Sequence, residues 1–444
     1  MSDTEDDTTK HVIEYKTDNK LIFFGCWNNG YCDASAPTMN GLSHTINELN
    51  KYINTVEEKP KHLIVAGDNY YPEKNKEKKD KKEKKDKKSG GGGDGDKIIN
   101  FTNFDSGFKC LKTIDIPIKH ILFGNHDFEN VSLKNSIDPP PPEDNVPEDK
   151  CPIMTTQIKY KDDMTFFDFE KDTLPCFLFN KTLIIFIDTT MYEPDDPAKI
   201  EKKEKSQNKL LDCYTKIKKY ENETIESIKE IQLQRARELL DKLKGKNYDF
   251  DNIIFMSHHP LLGIKQKMDD ETQIPEMKPV YLEGLKNIEL LFMREYKDAK
   301  KYFHLSADVH QLQYSTLIVH DGADEYKVAQ IIAGTGGAKL DDEVTDFLEG
   351  SNIKGSNIDY KIHITRKTFG FLECFMGDEK LHFTFHDVNS PKIEIDPESD
   401  THSSIAAVVG GSNRRMQRRR KTNKKRKTNK RLQRRHSRRL RRRF

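Results

Sequence analysis

The feature that most restricts this chain is a unit that recurs along it. A short, almost wholly apolar run stops at a tight turn carrying Asp, Asn or His beside Gly or Pro. Lys20–Cys26 leads into Trp27-Asn28, His62–Ala66 into Gly67-Asp68-Asn69-Tyr70-Tyr71, and Ile118–Phe123 into Gly124-Asn125-His126-Asp127. Leu183–Ile187 leads into Asp188-Thr189-Thr190, Ile253–Met256 into Ser257-His258-His259-Pro260, and Tyr302–Leu305 into Ser306-Ala307-Asp308-Val309-His310. Val328–Ala333 ends in Gly334-Thr335-Gly336-Gly337. Runs this short, without alternation, predict strands buried on both faces. Between them, Gly41–Val56, Phe101–Ile114 and Thr224–Leu243 carry apolar residues at helical spacing, the last with Gly245 as its stop. Phe369–Phe375 and Leu381–Phe385 read as a hairpin turning at Gly377-Asp378. The pattern predicts an α/β fold whose functional groups sit on loops at the carboxyl ends of strands.

The core-forming stretch runs from about 20 to 387, behind an acidic segment at 1–19. Insertions near 73–97, 130–165, 191–220 and 340–360 interrupt it. The first alternates Lys with Glu or Asp and reads as a solvated excursion. The second holds Pro139–Pro142 and reads as loop or extended chain to about Asp163. The third is an insertion or a surface helix. A linker at 388–411 precedes a tail at 412–444.

Charge is split along the chain. The tail holds 19 Lys/Arg and no Asp/Glu, so the rest carries 75 − 19 = 56 basic against 73 acidic side chains, or about −17. An acidic body is unsuited to nucleic acid, whereas the tail suits any polyanion through counterion release. It is expected to be disordered by itself and to bind nucleic acid without sequence choice, direct nuclear import, or meet an anionic membrane surface. Its composition also resembles that of basic tails on some proteins of large DNA viruses, which adds the virion to the nucleus as an expected location. Seven cysteines without a CxxC pair, and an N-terminus lacking a signal-peptide core, point to a reducing intracellular compartment. No apolar run is long enough for a transmembrane helix.

Four of the strand ends supply groups that hold metal ions: Asp68, Asn125 with His126, His258 with His259, and Asp308 with His310. One histidine after one strand is ordinarily structural. Four such ends, each beside Gly or Pro, predict a two-metal hydrolytic site able to activate water and hold phosphoryl oxygens.

These residues carry a family resemblance. Gly67-Asp68-Asn69-Tyr70-Tyr71 resembles the GDN-x-Y motif of purple acid phosphatases, and Gly124-Asn125-His126-Asp127 matches the GNHD motif of calcineurin-like metallophosphoesterases. His258-His259-Pro260 is similar to their single-His loop before Pro, and 307–314 to their GH-x-H-x-LQY segment. The resemblance covers about 20–387. It implies a metallophosphoesterase β-sandwich of two mixed sheets flanked by helices. It also implies two metal ions, Fe with Zn, Mn or Fe, and a phosphomonoester substrate attacked by a metal-bound hydroxide. Asp68 would bridge the metals, Tyr71 and His310 would bind the first, and Asn125, His258 and Asp308 the second. His126 would contact the phosphate or protonate the leaving group.

Two ligand positions depart from the family pattern. Cys26 stands where a carboxylate is expected, the register being fixed by Trp27. Asp308 stands where a histidine is usual. Asn28 occupies a place where many relatives have a His ligand, and the stretch 263–267 offers Lys267 instead of a substrate-facing His. A thiolate suits zinc better than Mn²⁺ or Mg²⁺. The alternative implied is a weakened or inactive phosphatase fold that serves as a binding scaffold through its tail.

Overall fold

A computed structural model describes residues 12–397, apart from 16–19, 34–39, 75–96, 130–131, 138–150, 167–173, 193–209, 216–222, 269–274, 298–299 and 378–379. The charged core of the Lys-rich insertion, Pro139–Pro142, most of the linker and the whole basic tail lie outside the described residues.

Two large mixed sheets face each other. In one, the order is Ile393–Ile395, Leu381–Asp387, Gly370–Met376, Lys20–Phe24, His62–Ala66, Ile118–Leu122 and Thr165–Phe166. The other runs Ile13–Tyr15, Cys176–Phe179, Thr182–Ile187, Asn252–Ser257, Lys301–Ser306, Asp324–Ala333, Leu312–Asp321, Ile358–Arg366 and Glu349–Gly350. Side chains alternate between two buried environments, which explains the unbroken apolar runs. Leu21, Phe23, Ile64, Ile184, Phe186 and Ile254 fill the space between the sheets. Ile22, Phe24, Leu63 and Val65 turn to the helices Gly41–Thr55 and Phe101–Thr113. Leu183, Ile185, Ile253 and Phe255 turn to the helices Ile225–Lys246 and Glu283–Tyr296 on the opposite side. Burying each such side chain contributes about 2–3 kcal/mol.

Three of the helix starts follow the side-chain capping rules. Asn40 accepts from Ser43 N, Asn100 from Asn103 N, and Thr224 forms a box with Ser227. The Ile225–Lys246 helix does not stop at Gly245, which faces open space. Asn247, left-handed at φ 49°, ends it.

Several elements differ from the sequence reading. Pairing reaches beyond 20–387 at both ends, through Ile13–Tyr15 and Ile393–Ile395. The stretch expected as loop to Asp163 contains the helix Pro152–Gln157, with Pro at its first position and Ile153 and Met154 buried. Residues 210–215 are helical, with Asp212 and Thr215 exposed and Cys213 and Tyr214 fully buried against the core. Four cysteines are paired, Cys32 with Cys110 and Cys151 with Cys213, against the expectation of reduced thiols. Separations of 78 and 62 residues hide such pairs from any spacing rule. Among the described residues no helix is long and apolar enough to cross a membrane.

Candidate metal centre

Parallel pairing brings the motif loops together. Lys20–Phe24, His62–Ala66 and Ile118–Leu122 lie side by side in parallel, so the loops bearing Cys26, Asp68 and Asn125 leave one sheet edge. Asn252–Ser257 and Lys301–Ser306 are likewise parallel and deliver His258 and Asp308. Cross-loop bonds lock the set: Cys26 N donates to Gly67 O at 3.0 Å and Ala307 N to His258 O at 2.9 Å. Cys26, Asp68 and Asp308 all have positive φ, of 54°, 52° and 27°. Left-handed backbone at non-glycine residues costs roughly 1–3 kcal/mol each and clusters at functional sites. The two motif glycines are there for clearance. A Cβ on Gly67 would fall 2.8 Å from His258 Nδ1, and one on Gly124 2.4 Å from Asp68 Oδ1.

Beneath the loops, Asp127 and Asn69 form a buried bracket. The Asp127 carboxylate accepts from Gly124 N (2.7 Å), Asn69 N (2.9 Å), Asn69 Nδ2 (3.1 Å) and Gln157 Nε2 (2.6 Å). Burial and the neighbouring Asp68 charge push this carboxyl up, and the donated N–H groups oppose the push. Trp27 Nε1 donates to Asn69 Oδ1 at 2.9 Å, tying in the first loop. Gln157 had no signal in the sequence, because its helix stands where a loop was expected.

Asp68 is the centre of the cluster, and its two oxygens face different partners. Oδ1 accepts from His126 N at 3.0 Å and lies 3.3 Å from His258 Nε2. Oδ2 accepts from Tyr71 OH at 2.8 Å and lies 3.9 Å from Cys26 Sγ. Tyr71 OH is also 3.0 Å from His310 Nε2. His258 Nδ1 is 2.7 Å from Ala66 O and His310 Nδ1 is 2.8 Å from Lys339 O. A carbonyl only accepts, so both Nδ1 atoms carry protons, and in the neutral rings both Nε2 lone pairs face the Asp68 cluster. Around His258 Nε2, the acceptors Asp68 Oδ1 and Asn125 Oδ1 lie at 3.3 and 3.1 Å. On the other side Tyr71 has one proton for two acceptors. The cluster therefore has an excess of lone pairs over protons, and a cation resolves that excess. Histidines anchored through Nδ1 to a carbonyl are the usual outer support of metal ligands. The residues fit a metal ion.

The electrostatics show the same demand for positive charge. Burial alone would raise the Asp68 carboxyl, but with no metal bound the positive charge of His258, His126 and His310 holds it well below the usual carboxylate range. A metal ion would supply that charge with the rings neutral. Asp308 is depressed more strongly, with Lys265 the largest influence opposing its burial. Burial and the Asp68 charge push the Cys26 thiol and the Tyr71 phenol up. Burial beside His258 lowers His259 to about 4, so this ring is neutral.

The structure thus brings Cys26, Asp68, Tyr71, Asn125, His258 and His310 around one carboxylate. Ligand atoms of Cys26, Asp68 and His258 lie within 4.8 Å of one another, as do those of His258, His259 and Asp308. His126 is at the rim, 30 % exposed, with Nε2 4.0 Å from Asp68 Oδ2 and Nδ1 2.8 Å from Glu129 Oε1. Asn28 does not make up for Cys26. Its amide donates to Phe104 O at 3.2 Å and packs over Gly107. Nor is Lys267 the lysine of the site: Lys265 is, with Nζ 3.5 Å from Asp308 Oδ2 and 3.6 Å from Asp341 Oδ2. The sequence signal available was a charged residue directly following the apolar run Leu261–Ile264.

The architecture is a metallophosphoesterase-like β-sandwich. No protein-family profile matches the sequence, and no curated protein matches it. Among solved structures, GAP50, titled as the anchor in the inner membrane complex of Plasmodium, is 12 % identical with a TM-score of 0.38, over 86 % of this chain and 90 % of that one. PhoD is 12 % identical with a TM-score of 0.40, over 88 % of this chain and 74 % of that one. At such scores neither likeness bears on the chemistry.

Proposed function

We propose that this chain is a metal-dependent phosphoesterase acting on phosphomonoesters. The observation that supports this best is the division of Asp68. One oxygen faces the His258–Asn125 side and the other the Tyr71–His310 side, with lone pairs converging on both. Asp68, Asn125, His258 and Asp308 would hold a cation on the first side, and Asp68, Tyr71 and His310 on the second. A bound metal supplies Lewis acidity toward a phosphoryl oxygen and an activated water. The remaining tasks fall to the chain. The bracket of Asp127 and Asn69 fixes the loops, so substrate meets a preset arrangement. His126, oriented by Glu129 at the open rim, is placed to hold the phosphate or pass a proton from Nε2 to the leaving oxygen. No covalent phospho-enzyme is required.

The test is metal content and aryl-phosphate hydrolysis measured on one sample of full-length protein. His126→Ala should lower kcat by about 10²–10⁴-fold with metal content unchanged. A metal-loaded wild type without turnover would abandon the enzyme reading. A visible absorption band lost in Tyr71→Phe would place ferric iron beside Tyr71.

A second reading is a binding protein on the same fold, favoured by the Cys26 thiol beside Asp68 and the Lys265 ammonium beside Asp308. In either reading the tail 412–444 is proposed to bind nucleic acid or another polyanion.

A further inference from the structure

We propose that Lys265 is a built-in second cation of this centre, and that the chain consequently takes up one divalent metal ion instead of two. The inference rests on the metal-centre reading above and narrows it: of the two candidate cation positions beside Asp68 only one takes a metal ion, the Lys265 ammonium supplying charge in place of the other. Lys265 Nζ bridges Asp308 Oδ2 and Asp341 Oδ2 at 3.5 and 3.6 Å, and also donates to Asp308 O at 3.3 Å. Asp341 in turn accepts from His310 N at 3.0 Å, and its own N donates to His310 O at 2.8 Å. The ammonium therefore reaches the loop bearing both Asp308 and His310.

Lys265 is not a surface lysine that happens to lean inward. Its strand, Leu262–Met268, is held by buried glutamines on both sides of the residue before it. Ile264 N donates to Gln313 Oε1 at 3.3 Å, and Ile264 O accepts from Gln311 and Gln313 at 3.3 and 3.1 Å. Leu262 is gripped likewise by Gln330, through N at 3.1 Å and O at 2.7 Å. This backbone sets where the Lys265 side chain begins, and only 27 % of that side chain is exposed.

The charge balance follows. With Asp308 and Asp341 sharing the ammonium, Asp68 is the carboxylate of the ligand cluster that has no Lys or Arg beside it among the described ion pairs. One divalent ion matches that demand together with neutral His, Asn and Tyr groups. A second would set two dications and an ammonium against too few carboxylates in a poorly solvated site. The fixed ammonium supplies positive charge directly to Asp308, a carboxylate that a second ion would otherwise share.

The experiment uses full-length protein stripped by chelator and titrated calorimetrically with Mn²⁺ and with Zn²⁺, and inorganic phosphate binding to the metal-loaded form. Wild type should bind one ion per chain. Lys265→Met should bind a second and, when loaded with only one ion per chain, lose affinity for phosphate by about tenfold. Lys265→Arg should restore one ion. Lys265→Gln, which keeps a polar head beside Asp308, replaces the Met variant if circular dichroism shows that it does not fold. Two ions in wild type, or one ion in both neutral variants, overturns the inference. So does the absence of any bound ion, which would overturn the metal-centre reading as well. One ion with no aryl-phosphate turnover would defeat the phosphoesterase reading and leave this inference standing. Two ions with turnover would do the reverse.

Discussion

Cys26 places its sulfur 3.9 Å from Asp68 Oδ2, where a thiol donates weakly to the central carboxylate. Cys26→Asp would put a second carboxylate in that place. At φ 54° Asp is better tolerated than Cys, so the backbone should not resist. Without metal, two buried carboxylates in contact repel, and the variant should lose about 2–4 kcal/mol. With metal the sign should reverse, through affinity for Mn²⁺ raised about tenfold or more and faster aryl-phosphate turnover. Thermal melts in chelator and in Mn²⁺ check both halves. Unchanged metal affinity would mean that no ion lies near Cys26.

His120 lies buried in the seven-stranded sheet, stacked on His62 with ring centroids 5.9 Å apart. Burial, and then the neighbouring His62, lowers its pKa to about 3. The folded state therefore keeps the ring neutral while the unfolded chain protonates near 6.5. Between those values the unfolded state binds more protons, so stability should fall as pH drops from about 6.5 toward 3. At pH 4.5 the loss from this group should reach about 2–3 kcal/mol. Urea midpoints at pH 7.0 and 4.5 would show it. A His120→Phe chain with the same pH slope as wild type would assign the acid sensitivity elsewhere.

The pair Cys151–Cys213 joins the head of the Pro152–Gln157 helix to the helical residues 210–215. Tyr214, next to the bridge, donates to Asp188 Oδ2 at 2.8 Å, at the end of a central strand. The bridge closes a loop across 62 positions, so its loss should cost about 4 kcal/mol. Cys151→Ser/Cys213→Ser should melt several degrees below wild type, and dithiothreitol should lower wild type toward it. A melt insensitive to reductant would return these cysteines to the thiol state that the sequence suggested.

What the sequence showed and what it hid divide along physical lines. The strands carrying Asp68, Asn125, His258 and Asp308 were visible because both their faces are buried, so hydrophobicity alone marks them. The strands Leu262–Met268, Leu312–Asp321 and Ile358–Arg366 alternate or carry charge, and their signal is diluted. The Glu283–Tyr296 helix starts at Leu282 with no side-chain cap, which removed its start signal. Within the site, local motifs gave the inner groups, Asp68 with Tyr71 and Asn125 with His126. They could not give Lys265 with Asp341, or Asp127 with Gln157, because those pairs meet only through tertiary packing. Asn28 shows the opposite failure: its sequence position suggested a ligand, but helix packing took its amide away.

The tail raises a separate question, because its 19 Lys/Arg are set against a body of about −17. If the tail binds polyanions freely, wild type should bind duplex DNA of any sequence, with log K falling linearly against log salt. The steepness reports how many phosphates are neutralised, at a slope of about −0.9 for each. Truncation after Gly411 should remove most of the affinity and nearly all of the slope, and leave metal content and aryl-phosphate hydrolysis unchanged. If the tail instead rests on the acidic body, truncation should leave weak DNA binding weak. Raising salt should then strengthen wild-type binding before weakening it, because the tail must first be released. A monotonic decline in wild type, absent from the truncated chain, would establish the free tail as the polyanion-binding segment.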